Sequence, residues 1–184
     1  MVMFQVAIFV LASAGLIYVS RAALGLPHAH GFWRRWAWEA IVALVVLNAP
    51  VWFRAPLAWH QLLSWTLLIL ALVPLALGVR QLKHALRADQ ERPEAALLGF
   101  EKTAELVTTG IYRYIRHPMY SSLLLLAWGV FWKAPSWSGA ALVAVATGCL
   151  LATARAEERE NLRFFGPAYA AYMQRTKRFI PFLF

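Results

Sequence analysis

The chain has 184 residues, of which 61% are apolar, 14% aromatic and only 15% charged, against roughly 25% charged in an average soluble domain. A domain this small leaves too much surface in contact with solvent to hide that apolar excess, so a water-soluble globule is excluded and lipid is the natural neighbour. The net charge of +9 does not point to nucleic acid, because the cations sit in the gaps between apolar runs.

A hydrocarbon core about 30 Å thick is crossed by roughly 20 helical residues. By that measure the uncharged intervals 1–20, 55–79 and 134–154 are long enough, and the shorter intervals 40–53 and 117–132 are read as spans with them. The expected fold is therefore an all-α integral membrane protein, a single bundle of five transmembrane helices at 1–20, 37–54, 56–80, 118–133 and 136–154. The first interval lacks the charged start and small-residue cleavage site of a signal peptide and is kept as a helix. Trp36 and Trp38 before the second span, and Trp128 and Trp132 at the end of the fourth, are placed as interfacial anchors.

Breakers divide the rest. Asn48-Ala49-Pro50 ends or kinks the second helix and Pro74 kinks the third, because proline lacks a donor and crowds the preceding turn. The third helix continues past the apolar run over 80–87 and stops at Glu91-Arg92-Pro93, and 100–112 reads as an ordered loop. Beyond the fifth span, 155–165 is helical, Gly166-Pro167 stops and restarts the helix, and 168–175 forms a last amphipathic piece. With the N-terminus outside, Arg21, Arg34, Arg35 and the cations of 80–116 and 155–178 all fall on the inner side, leaving only Arg54 and Lys133 outside. That asymmetry predicts a cytoplasmic C-terminus and accounts for the positive balance.

Two inner segments are denser in functional side chains than a lipid-facing bundle requires. The first, 110–120, brings Arg113, Arg116, His117 and the tyrosines 112, 114 and 120 to the start of the fourth helix. Pro118 suits its first position, so Arg116 and His117 occupy a turn where free N–H groups and the helix dipole favour an anion. The second, just after the fifth span, carries Glu157, Glu158 and Glu160 among Arg155, Arg159 and Arg163. Neighbouring helical positions point about 100° apart, so Glu157 and Glu158 do not act on one point and one of them faces inward. Plainer readings stand beside these. Arg113 and Arg116 also suit charges snorkelling to headgroups, His117 a cap on a carbonyl, the glutamates a solvated salt-bridged face, and Tyr169, Tyr172 and Phe179 interfacial aromatics. His28 and His30 have metal-like spacing with no Cys, Asp or Glu near them in sequence, so no metal is assigned. Cys149 has no partner for an intrachain disulfide.

The run Leu106-Val107-Thr108-Thr109-Gly110-Ile111-Tyr112, then Arg116-His117-Pro118-Met119-Tyr120, resembles the signature of the isoprenylcysteine carboxyl methyltransferase family. So does Glu157-Glu158 followed by Phe164-Phe165-Gly166, Tyr169, Tyr172, Arg175 and Ile180-Pro181-Phe182. The resemblance covers the chain from about residue 106 onward and makes 100–184 the cofactor-binding half. It implies an integral membrane methyltransferase that takes its methyl from S-adenosylmethionine, releases S-adenosylhomocysteine and acts on a lipid or prenylated acceptor at the cytoplasmic face. On that reading Tyr112, Arg116, His117, Pro118, Tyr120, Glu157 and Glu158 line the cofactor. Arg175, with Tyr172, meets the carboxylate of an isoprenylcysteine-type acceptor. No Gly-x-Gly-x-x-Gly follows a strand, consistent with a donor site outside the Rossmann type.

Phospholipid N-methyltransferases share the His-Pro-Met-Tyr and Glu-Glu motifs, so amine methylation is the alternative; a more distant one is a sterol-type membrane reductase using NADPH, and a third a non-enzymatic scaffold or small transporter. Lys177-Arg178-Phe179 departs from the small turn-forming residues usual before the final Ile-Pro. The Ala-, Arg- and Trp-rich composition resembles a bacterial inner-membrane protein, where a small isoprenoid or other lipid acid is a plausible acceptor.

Overall fold

The computed structural model describes residues 2–85 and 106–183; the expected break at Glu91-Arg92-Pro93 and the first part of the 100–112 loop lie outside the described residues. Among the described residues six α-helices account for the fold: α1 Val2–Leu24, α2 His30–Asn48, α3 Trp59–Ala85, α4 Pro118–Phe131, α5 Trp137–Phe165 and α6 Pro167–Arg175. A 3-10 turn at Gly110–Arg113 leads into α4.

Local sequence sets the ends. Asn48 closes α2 and Ala49-Pro50-Val51 tightens into a 3-10 turn, as the proline predicts. Ser136 caps α5, its hydroxyl accepting from the Gly139 amide at 3.1 Å, and so satisfies one of the free donors of the first turn. Gly166 ends the same helix at φ +57°, ψ −131°, a region closed to residues with a Cβ, and Pro167 begins α6 with its φ already helical. Pro74 lies within α3 without ending it.

Three helices, covering Met3–Leu24, Trp59–Lys83 and Trp137–Phe165, are long and apolar enough to cross a membrane. The other two expected spans differ. α4 is apolar but has 14 residues, short of a hydrocarbon core by itself. α2 starts at His30, seven positions earlier than the 37–54 span, because Arg34 and Arg35 are helical and part of its packed surface. α3 starts at Trp59 and runs beyond residue 80 to Ala85.

α2 packs along α5 and α3 along α4, with α1 against α2 and α4 against α5. The core between α2, α4 and α5 holds Ala40, Ile41, Leu44, Ala127, Val130, Val143 and Ala146. The three alanines allow close backbone approach, whose dispersion contacts hold apolar helices together where lipid removes most of the hydrophobic gain. α3 comes so near the start of α4 that a Cβ on Gly78 would lie 3.2 Å from Pro118 Cγ. Lys133, expected as an outer surface charge, is instead 1% exposed. Its ammonium donates to Gln61 Oε1 at 3.0 Å and sits 3.3 Å from the Trp65 ring centroid, so ring and amide replace the water it loses.

Candidate active site

The chain after α6 returns to the start of α4. Ile115 and Lys177 form an isolated parallel bridge. The Arg116 and His117 amides donate to the Lys177 and Arg178 carbonyls at 2.8 and 3.1 Å, and the Lys177 amide to the Tyr114 carbonyl at 3.0 Å. The Ser121 hydroxyl adds a bond to the Phe179 carbonyl at 2.8 Å. These contacts place the tail against the last, polar turns of α5.

Glu158 is at the junction, 4% exposed. Its Oε1 accepts from Arg116 Nε and Nη2 at 2.9 and 2.8 Å, and Arg178 donates to Oε1 and Oε2 at 3.1 and 2.7 Å. Arg116 spends its remaining donors on the carbonyls of Met173 and Thr176 and on the Thr176 hydroxyl. Burial alone would raise the Glu158 pKa. The close approach of His117 and the hydrogen bonds from Arg178 and Arg116 outweigh that and hold it well below the usual carboxylate range. The same carboxylate raises the Arg178 pKa. One buried anion thus joins the approach to α4, the body of α5 and the C-terminal tail.

His117 stands beside this junction. Its Nε2 is 3.4 Å from Glu158 Oε1 and its Nδ1 3.6 Å from Glu157 Oε2, so the two glutamates, expected to serve different points, flank one ring, each from its own side. The ring stacks on Tyr120 at 5.4 Å and lies 6.0 Å from Phe179. Nε2 is buried and has no well-aligned hydrogen-bond partner among the described residues. Glu157, with its side chain 27% exposed, is the glutamate open to a ligand. Tyr172 donates its hydroxyl to the Tyr112 carbonyl at 2.6 Å, tying α6 to the 3-10 turn. Desolvation raises the pKa of both Tyr169 and Tyr172, so the phenols stay protonated through the neutral range.

Tyr112, Arg116, His117, Tyr120, Glu157, Glu158 and Tyr172 are therefore brought together, and Pro118 is buried at the first position of α4 against Gly78. Arg175 is not part of that cluster: it is exposed and its Nε donates to the Ala171 carbonyl of its own helix at 3.3 Å. Sequence reasoning missed Arg178 and Thr176, although the unusual Lys177-Arg178-Phe179 run marked the place. It also left Glu160 to solvent and His30 without a role. The His30 amide donates to Glu160 Oε1 at 2.9 Å and its Nδ1 pairs with Oε2, which anchors the start of α2 to α5.

Comparison with known proteins agrees with the resemblance read from the motifs. Residues 91–168 match the family model described as phospholipid methyltransferase; that range includes every residue assigned above to the cofactor. The chain is similar to methanethiol S-methyltransferase 1 of Bradyrhizobium diazoefficiens, 33% identical over 88 residues that make up 46% of this chain and 30% of that protein. The chain thus matches less than a third of that relative's length. No solved structure matches it. The match to the phospholipid methyltransferase model therefore lies in the half that carries the buried cluster.

Proposed function

We propose that the chain is an S-adenosylmethionine-dependent methyltransferase acting on a lipid-like acceptor, with its site at the cytoplasmic end of the bundle. The observation that carries this reading is the meeting of the segment before α4 with the polar turns of α5, where Glu157 and Glu158 both lie within 3.6 Å of His117. The residues suit such a donor. His117 Nδ1, on the side of the partly exposed Glu157, can reach a ligand hydroxyl. Glu157 has oxygens free for an ammonium or ribose diol, and the faces of Tyr112, Tyr120 and Tyr169 suit a sulfonium.

When bound, S-adenosylmethionine supplies the electrophilic methyl. The protein's part is alignment and exclusion of water, which account for much of the barrier reduction in such a displacement. The Arg116–Glu158–Arg178 cluster holds the walls, Glu157 and His117 orient the donor, and the tail with Phe179 closes one side.

Two acceptors are consistent with this arrangement. A carboxylate of the isoprenylcysteine type is already ionised at neutral pH, with an ordinary pKa near 4, and needs only a cation to aim it; exposed Arg175 is available for that. A phospholipid amine must first lose a proton, and the groups at the junction able to take it are Glu157 and His117. The match of 91–168 to the phospholipid methyltransferase model supports this second reading. Mass spectrometry of lipid extracts after incubation with methyl-labelled donor decides between them. A labelled methyl ester with turnover lost in Arg175→Ala supports the first, and a labelled amine the second. Absence of S-adenosylhomocysteine binding in calorimetric titration refutes the methyltransferase reading; tight NADPH binding in its place assigns a reductase, and binding of neither a scaffold.

A further inference from the structure

A groove of about 760 Å³ opens between the end of α3 and the 3-10 turn, lined by Leu77, Arg80, Gln81, Ile111, Arg113 and Tyr114. Its wall is closely fitted: Gly110 is at φ +61°, and a Cβ there would lie 2.0 Å from Gln81 Nε2. None of the lining residues among those described is acidic. Arg80 and Arg113 are both exposed, and neither guanidinium has a carboxylate or hydrogen-bond partner among the described residues.

The groove continues an apolar stripe. Leu70, Val73 and Leu77 are 48%, 52% and 44% exposed, and their spacing of three and four residues puts them on one face of α3, in line with Arg80 and Gln81. From Leu70 to Arg80 the helix rises about 15 Å, half of a hydrocarbon core of about 30 Å. Leu70 also lies near the middle of the apolar run Trp59–Lys83. The exposed face runs on past Leu70 toward Trp59, but its stretch nearest the groove is one leaflet long and ends at two cations with no acidic partner among the described residues, which is the layout of an acyl chain with a phosphate at its head.

We propose that this groove holds a membrane phospholipid, its phosphate between Arg80 and Arg113 and an acyl chain along Leu77, Val73 and Leu70. Two guanidiniums match phosphate oxygens through paired, charge-assisted hydrogen bonds, and Gln81 and the Tyr114 hydroxyl add polar contacts at the rim. Tyr112, on the same 3-10 turn, belongs to the buried cluster, so the lipid sits next to the candidate active site. This site does not depend on methyl transfer and stands or falls separately from it.

The test uses the full chain purified in detergent, exchanged to remove lipid, and examined by native mass spectrometry with phosphatidylglycerol as the probe. Wild type is expected to retain one phosphatidylglycerol, and Arg80→Gln with Arg113→Gln to lower its affinity by roughly tenfold or more, given two lost charged contacts. Leu77→Trp, which fills the groove without changing charge, is expected to exclude the lipid and decides the matter if the double variant does not fold. Diacylglycerol of the same chains should fail to compete. Undiminished retention in a folded double variant or in Leu77→Trp, or competition by diacylglycerol, overturns the proposal. Displacement by glycerol 3-phosphate at equal concentration overturns it in favour of a soluble phosphate. S-adenosylhomocysteine affinity, measured in parallel, reads the methyltransferase reading independently.

Discussion

Glu158→Gln keeps the shape of the side chain and removes the charge shared by Arg116 and Arg178. The amide offers one acceptor oxygen where the carboxylate offered two, so a donor of one arginine is left facing an N–H group. Removing one partner of a buried ion pair costs about 3–5 kcal/mol. Here the loss strands two cations, with side chains 8% and 20% exposed. Water recovers part of the loss at Arg178 and little at Arg116, which puts the cost near 4 kcal/mol. At about 2–4 °C per kcal/mol for a chain of this size, the unfolding midpoint falls by roughly 8–16 °C. Thermal unfolding in detergent, followed by near-ultraviolet dichroism, measures it. The pH dependence follows from the depressed Glu158 pKa. Its stabilisation is present in full above the ordinary carboxylate pKa of about 4.3 and is lost as pH falls toward the depressed value. The gap between wild type and variant should hold from pH 8 to about 5 and narrow only below about 4. An unchanged midpoint combined with lost S-adenosylhomocysteine affinity would refute the reasoning, because Glu158 would then be a ligand and not a tie.

Glu157→Gln should do the reverse: the side chain is 27% exposed and its one tie across elements is a long 3.6 Å contact with His117 Nδ1, so the midpoint falls by no more than about 2–4 °C while S-adenosylhomocysteine affinity in calorimetry falls by about tenfold, the worth of one charged hydrogen bond. Tyr172→Phe leaves the Tyr112 carbonyl without the hydroxyl now 2.6 Å away and should cost about 1–3 kcal/mol in the same unfolding assay. Gly166→Ala places a Cβ on a residue at φ +57°, ψ −131°; it should cost about 1–3 kcal/mol and increase proteolysis between α5 and α6, with uncut protein at wild-type protease concentrations counting against it.

Periodic and punctuating features were legible. Apolar runs gave the positions of α1, α3 and the first part of α5, and Pro50, Gly166 and Pro167 marked ends through backbone rules that act within a few residues. The motif-bearing residues of 110–120 and 155–161 also proved to meet. Pairings across long sequence separations were not legible: Arg178 reaches Glu158 across 20 residues and His30 reaches Glu160 across 130, and no local rule distinguishes these charges from solvated ones. The same holds for Lys133, in the turn between α4 and α5, whose burial depends on Gln61 and Trp65 of α3.

Hydrogen-bond accounting changes what Arg116 is expected to do. As a motif residue it reads as a donor to the cofactor's carboxylate, yet Glu158 and the Met173 and Thr176 acceptors occupy Nε, Nη1 and Nη2. Redirecting it to a ligand would leave the buried Glu158 with Arg178 as its sole arginine and would free the tail carbonyls, a loss on the scale of the ion-pair cost above. Arg116→Ala is therefore expected to loosen the tail and lower the unfolding midpoint, and any fall in donor affinity should follow from that loosening. Glu157 carries a lighter obligation, one 3.6 Å contact with His117 Nδ1. Between two groups equally near the junction, the one with unspent hydrogen-bonding capacity is the one able to recognise a ligand; under the proposed function Glu157 therefore orients the donor, while Arg116, Glu158 and Arg178 keep the pocket intact.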